Sequence, residues 1–162
     1  KIVPDLIMAG GFISETQIYK AIALSNFGDG PMVKAVLLGR SPITAVMKSS
    51  YFAQLAKEGR LARTFADRYG TTPEKFFVAT PKLKEKYGEK FSEIPWEAVG
   101  LYTYLTERIG VGLMQLLAGS RKWKLDLISR KDLMSLTERA AKVTGIPLPE
   151  ESEADEIERI LS

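Results

Sequence analysis

Asp5-Leu-Ile-Met-Ala-Gly-Gly11 and Met32-Val-Lys-Ala-Val-Leu-Leu-Gly-Arg-Ser-Pro42 decide the fold. Each is a short apolar run that stops at glycine. Runs of this kind, without polar alternation, read as parallel strands buried on both faces. Between them, Ser14 and Gln17 stand at capping-box spacing, and Ile18, Ala21 and Ile22 mark one helical face up to about Ser25. Asn26-Phe-Gly-Asp-Gly-Pro31 is a loop by composition. Ser41-Pro42 offers an N-cap followed by proline at the first helical position, so a second helix is expected there. The order is strand–helix–strand–helix, which implies a parallel pair with a right-handed crossover.

Downstream of this opening the chain reads as helix or loop. Thr44 to Arg68 is one long helix or two, with Gly59 as the break. Pro81 to Gly88 is a short charged helix. Pro95 opens the strongest helix, with Ala98, Leu101, Tyr102, Leu105, Ile109, Gly112, Leu113, Leu116 and Leu117 on one stripe and Gly119 at its end. Gly100, Gly110 and Gly112 weaken that helix by about 1 kcal/mol each against alanine, which implies a closely packed neighbour, expected in the missing part of the fold or in another subunit. Further helices are expected over Asp132 to Val143 and over Glu150 to Ser162, the latter with Ile157, Ile160 and Leu161 as its apolar side.

Composition excludes several chemistries. The 162 residues contain no cysteine and no histidine. Thiolate nucleophiles, disulfides, cysteine-held clusters and histidine-based triads within the chain are therefore ruled out. No pair of carboxylates has a spacing that singles it out for acid–base work. The net charge of +3 calls for neither nucleic acid nor an anionic membrane. Charged residues interrupt every apolar run before it reaches membrane-spanning length, and no signal-peptide pattern opens the chain, so a cytoplasmic location is the default expectation. The chain opens on Lys1 rather than Met, as a piece of something longer would.

The two strand ends form the candidate site. Gly10-Gly11 and Gly39-Arg40 are expected side by side at the C-terminal edge of the sheet, where α/β folds bind ligands. Glycines let the backbone approach an anion. The helix opening at Ser41-Pro42 turns its unpaired N–H groups and positive dipole end toward the same place. Arg40 adds a cation that grips phosphate with two parallel hydrogen bonds. A phosphate site built mostly of backbone is the functional expectation. The plainer alternative is that these glycines only make tight turns.

Met8-Ala-Gly-Gly-Phe12, Lys20-Ala-Ile-Ala-Leu24 and Val33-Lys-Ala-Val-Leu-Leu-Gly-Arg40 resemble the seventh and eighth strands of the FMN-binding domain of glutamate synthases. Val99-Gly-Leu-Tyr-Thr-Tyr-Leu-Thr-Glu107, Leu116-Leu-Ala-Gly119 and Ser129-Arg-Lys-Asp-Leu133 resemble the helical segment that follows the barrel in that family. The likeness covers about residues 5 to 45 and 95 to 135. It implies an α/β fold class: the end of a TIM (β/α)8 barrel followed by a mainly helical extension, an incomplete barrel that is mostly α by content. Residues 1–48 would be the last two βα units, 49–94 a helical insert, and 95–162 the C-terminal extension. It implies Gly10, Gly11, Gly39 and Arg40 as FMN-phosphate ligands. The parent reaction is formation of glutamate from 2-oxoglutarate and ammonia or glutamine nitrogen at the flavin.

The family usually carries three cysteines, holding an iron–sulfur cluster, between the last strand and the helical segment. Here Met47 to Phe91 has none, so no iron–sulfur cluster is held by this chain. A full barrel needs eight strands and this chain supplies two, so catalytic residues are expected elsewhere and the chain alone is expected to be inactive. Its expected partners are the remainder of its own barrel or a second copy, with neither nucleic acid nor membrane. Two alternatives stand beside this reading. One is another phosphate-binding barrel, similar to inosine monophosphate dehydrogenase. The other is a non-catalytic helical interaction or oligomerisation module.

Three further expectations concern single regions. The cations and aromatic rings from Tyr51 to Lys90 read as a solvated face over a small core rather than a nucleic-acid surface. Trp123 is expected to pack under the preceding helix with its flanking cations in water. Glu107 and Arg108 are expected to face solvent.

Overall fold

A computed structural model describes residues 4–152, 158 and 160–161. The chain opens as β1 (Leu6–Ala9), α1 (Glu15–Leu24), β2 (Val33–Leu37) and α2 (Arg40–Lys57). The two strands pair in parallel, with the Leu6 N–H donating to the Met32 carbonyl at 2.8 Å. This order is the one read from the sequence. The burial is not. All four residues of β1 are exposed, and in β2 only Val33 is buried. A two-stranded sheet is covered only if another layer lies over it, and here Ile7 and Leu37 remain 66% and 59% exposed.

The chain divides into two compact units. The first comprises the described parts of Lys1–Met8, Thr16–Val36 and Gln115–Ser162. Its core holds Ile18, Tyr19, Ile22 and Ala23 of α1 with Val33, Ile128 and Ile146. Polar bonds fix this core from within. Buried Asn26 donates from Nδ2 to the Ile128 carbonyl at 2.7 Å, while its Oδ1 accepts from the Gly28 N–H at 3.0 Å. Arg130 donates to the carbonyls of Leu24 and Thr144, and Lys122 pairs with Asp132, whose carboxylate also closes a capping box with Ser129.

The expected helix over Asp132 to Val143 is shorter. A 3-10 turn covers Arg130–Asp132, and the α-helix runs only over Glu138–Thr144, capped by Thr137. The Ser135 N–H donates to the Pro147 carbonyl at 2.9 Å, which draws this stretch of backbone out of the helical ladder. The last expected helix begins at Pro149–Ser152. Beyond it only residues 158, 160 and 161 are described, and Ile157 lies outside. Trp123 does not pack under its helix: it is 81% exposed.

The second unit comprises Ala9–Glu15 and Leu37–Met114. α2 ends just before Gly59, whose positive φ of 65° makes the expected break. α3 (Arg63–Tyr69), α4 (Pro73–Phe76) and α5 (Thr80–Tyr87) follow, and then α6 (Trp96–Tyr102) packs against α2. Ala79, Leu83, Phe91 and Val99 form the core. The aromatic residues of this region form a continuous chain. Phe52 stacks on Phe65 at 4.9 Å, Phe65 meets Phe76, Phe76 meets Phe77, and Phe77 stacks on Trp96 at 5.7 Å. The rings are occupied with one another, as a core is.

Gly100 accounts for the close approach of α6 to α2. A Cβ there would lie 1.6 Å from Ser49 Oγ, so the tight neighbour at this glycine is α2 of the same chain and not the missing part of the fold or another subunit. After α6 the helix changes register. Thr103–Gly110 is a π-helical segment, and an α-helix resumes at Val111–Gly119. The extra residue per turn rotates the downstream face, which breaks the single stripe drawn at 3.6 residues per turn. Within the segment Leu105 is exposed and Ile109 buried, and in α6 upstream of it Ala98 is exposed while Val99 and Gly100 are buried.

Candidate functional site

The turn after β1 is set by two glycines in left-handed backbone, Gly10 at φ 97° and Gly11 at φ 74°. Other residues reach this region only at a cost of about 1–2 kcal/mol. A Cβ on either glycine would meet nothing within 4 Å, so the demand is conformational and the space beside the turn is open. The turn after β2 ends at Gly39, which sits at the N-cap of α2 and makes no side-chain cap bond. The helix therefore starts two residues earlier than expected: Arg40 is its first residue and Ser41 lies inside it.

Ser41 instead reaches across to the other turn. Its hydroxyl donates to the carbonyl of buried Phe12 at 3.2 Å. The result is a cavity of about 310 Å³ lined by Gly10, Gly11, Phe12, Gly39, Arg40 and Ser41 among others. All four residues singled out from the sequence thus line one cavity within the second unit. The first amides of an 18-residue helix open there without a side-chain cap. Arg40 is exposed and has no carboxylate partner among the described residues.

A larger hollow of about 680 Å³ adjoins the first and shares Ile13, Arg40 and Ser41 with it. It adds Thr44, Lys48, Tyr104 and Arg108. Lys48, Tyr104 and Arg108 were missed in the sequence reading. Arg40, Thr44 and Lys48 stand four residues apart on one helix, a spacing that makes them neighbours on one face and was open to view. Tyr104 and Arg108 come from the π-helical segment, which no periodicity argument anticipated. Arg108 faces solvent as expected, with its side chain 63% exposed, and it also lines this hollow, with Glu15 Oε2 3.9 Å from its Nε. Glu107 is turned to Lys82 at 3.5 Å.

A third hollow, about 430 Å³, lies between α2 and the start of α6 and is lined by Ser50, Gln54, Lys57, Glu74, Trp96 and Glu97 among others. A hydrogen bond from Ser50 holds the Glu97 carboxyl below its usual range. Glu58 is also lowered, by hydrogen bonds from Gln54 and then Arg60. Among the described residues no cluster of acidic side chains is placed to hold a metal ion. No described helix is long and apolar enough to cross a membrane.

No family model, curated protein or solved structure matches the chain. The case for a ligand therefore stands on the geometry. Left-handed glycines, uncapped helix amides and an unpaired guanidinium around one opening are a donor set that suits a phosphate group.

Proposed function

We propose that the chain supplies the FMN-phosphate-binding strand ends of a glutamate synthase-like oxidoreductase, with the rest of the barrel as its partner. The observation that carries this reading is the meeting of the Gly10-Gly11 turn with Gly39-Arg40 around one cavity at the uncapped start of α2. In this reading Gly10, Gly11 and Gly39 bring backbone close to the phosphate, and Arg40 neutralises it. The flavin, once bound, would supply the electron transfer of the parent reaction. The chain's own residues bind and orient it and move no proton. The open faces of β1 and β2 agree with strands that the layers of a complete barrel would cover.

The test is flavin binding by this chain with and without the phosphate. FMN is expected to bind and riboflavin, which lacks the phosphate, to bind at least tenfold more weakly. Arg40→Ala is expected to remove that difference. Equal binding of the two flavins, or an Arg40→Ala protein that retains FMN unchanged, overturns the reading.

A second reading, a helical interaction or oligomerisation module, is favoured by one observation. In the first unit, Trp123, Leu136 and Val143 are 81%, 88% and 78% exposed, more apolar surface than an isolated unit needs. Sedimentation of the chain across a concentration series tests it, and a monomer at every concentration speaks against self-association.

A further inference from the structure

Three cations converge on the 680 Å³ hollow beside the glycine cavity: Arg40 and Lys48 from α2, and Arg108 from the π-helical segment. Among the described residues no acidic side chain lines it. The hydroxyls that line it are already committed to backbone carbonyls. Ser41 donates to Phe12 at 3.2 Å, Thr44 to Arg40 at 2.9 Å and Tyr104 to Ile13 at 3.0 Å. The groups left to meet a ligand are therefore the two guanidiniums and the ammonium.

Among the described residues only one of the three has a carboxylate near it. Glu15 Oε2 lies 3.9 Å from Arg108 Nε, at the outer limit of an ion pair. Glu15 is itself held in place, because it packs where a Cβ on Gly112 would stand, 2.6 Å from its Cγ. The carboxylate thus orients Arg108 without fully neutralising it. Arg40 and Lys48 have no carboxylate partner among the described residues. Three like charges facing one concavity raise the potential there and are stabilised by an anion that lies among them.

The geometry also sets the length of that anion. Arg40 and Lys48 are eight residues apart on α2, about 12 Å along the axis at 1.5 Å per residue. Arg40 belongs to both hollows, so the row of cations begins at the glycine cavity and runs away from it. A single phosphate in the glycine cavity would leave Lys48 and Arg108 unanswered.

We propose that this hollow holds a linear polyphosphate chain, with its terminal phosphate in the glycine cavity and the following phosphates along Arg40, Lys48 and Arg108. The proposal rests on the phosphate reading of the glycine cavity and names a second ligand that would occupy it in competition with the phosphate of FMN.

The experiment is calorimetric titration of the chain with inorganic phosphate, pyrophosphate and tripolyphosphate at one fixed ionic strength, since surface charge effects are screened by salt. Lys48→Ala and Arg108→Ala are compared with Lys86→Ala, a control at the exposed end of α5. Affinity is expected to rise at least tenfold from phosphate to tripolyphosphate. Lys48→Ala and Arg108→Ala should each remove most of that rise and leave phosphate binding within twofold, while Lys86→Ala changes neither. Phosphate binding without a rise toward tripolyphosphate, or a rise that Lys86→Ala reduces equally, overturns this proposal and leaves the glycine cavity standing. Failure of all three anions to bind overturns both.

Discussion

The Ser41 hydroxyl donates to the Phe12 carbonyl oxygen at 3.2 Å and so ties the turn after β1 to the first turn of α2. The two turns come from segments separated by a whole helix and a strand. Without this bond, the buried Phe12 carbonyl loses a partner and the glycine cavity loses one of its fixed edges. Ser41→Ala is expected to lower stability by about 1 kcal/mol, as loss of one part-buried hydrogen bond does. Urea denaturation reads this, and anion binding should weaken in the same variant.

Gly10 and Gly39 should respond differently to alanine. At Gly10 the backbone has φ 97°, so Gly10→Ala should destabilise by about 1–2 kcal/mol although nothing lies within 4 Å of the new methyl. At Gly39 φ is −84° and a methyl again meets nothing within 4 Å, so the fold should tolerate it. The Gly39→Ala methyl does stand at the cavity wall, and phosphate affinity should fall while the unfolding midpoint stays put. Thermal unfolding and phosphate titration of both variants check the contrast.

The α2–α6 contact depends on Gly100. Its added Cβ would lie 1.6 Å from Ser49 Oγ and 2.4 Å from Ser49 Cβ, and both residues are buried. Gly100→Ala should cost about 1–3 kcal/mol through overpacking. Pairing it with Ser49→Gly should recover part of that loss, because the clash is with that one side chain. Denaturation of the single and double variants measures the coupling.

Glu97 links stability to pH. The Ser50 hydrogen bond lowers its folded-state pKa below the ordinary 4.5. A lowered carboxylate pKa contributes stability that is fully present above the unfolded value and is lost as pH falls through the folded one. Urea midpoints should therefore decline below about pH 4.5, and Ser50→Ala should flatten that decline while leaving the midpoint at pH 8 lower. An unchanged acid limb in Ser50→Ala would show that other carboxylates set it.

Local signals carried the opening of the chain. Apolar runs stopped by Gly10 and Gly39 located both strands, and Gly59 located the end of α2. Chain order alone brought the four cavity residues to neighbouring turns. What could not be read were features set by tertiary contact. The exposure of β1 depends on which layers surround it, not on its own residues. The partner of Gly100 is fixed by helix crossing. The π-helical segment shifts Tyr104 and Arg108 away from the face that a regular helix would give them, so two hollow-lining residues were hidden behind an assumed period. Trp123 was expected under a helix because a large ring gains from burial, and the described chain offers it no cover.

The most direct test of the glycine cavity as a phosphate site is an amide chemical-shift map of the isotope-labelled chain titrated with FMN. The backbone amides of Gly10, Gly11, Gly39, Arg40 and Ser41 are predicted to move together, with one shared dissociation constant, and inorganic phosphate is predicted to move the same set. Saturating FMN that leaves these five amides in place would contradict the account.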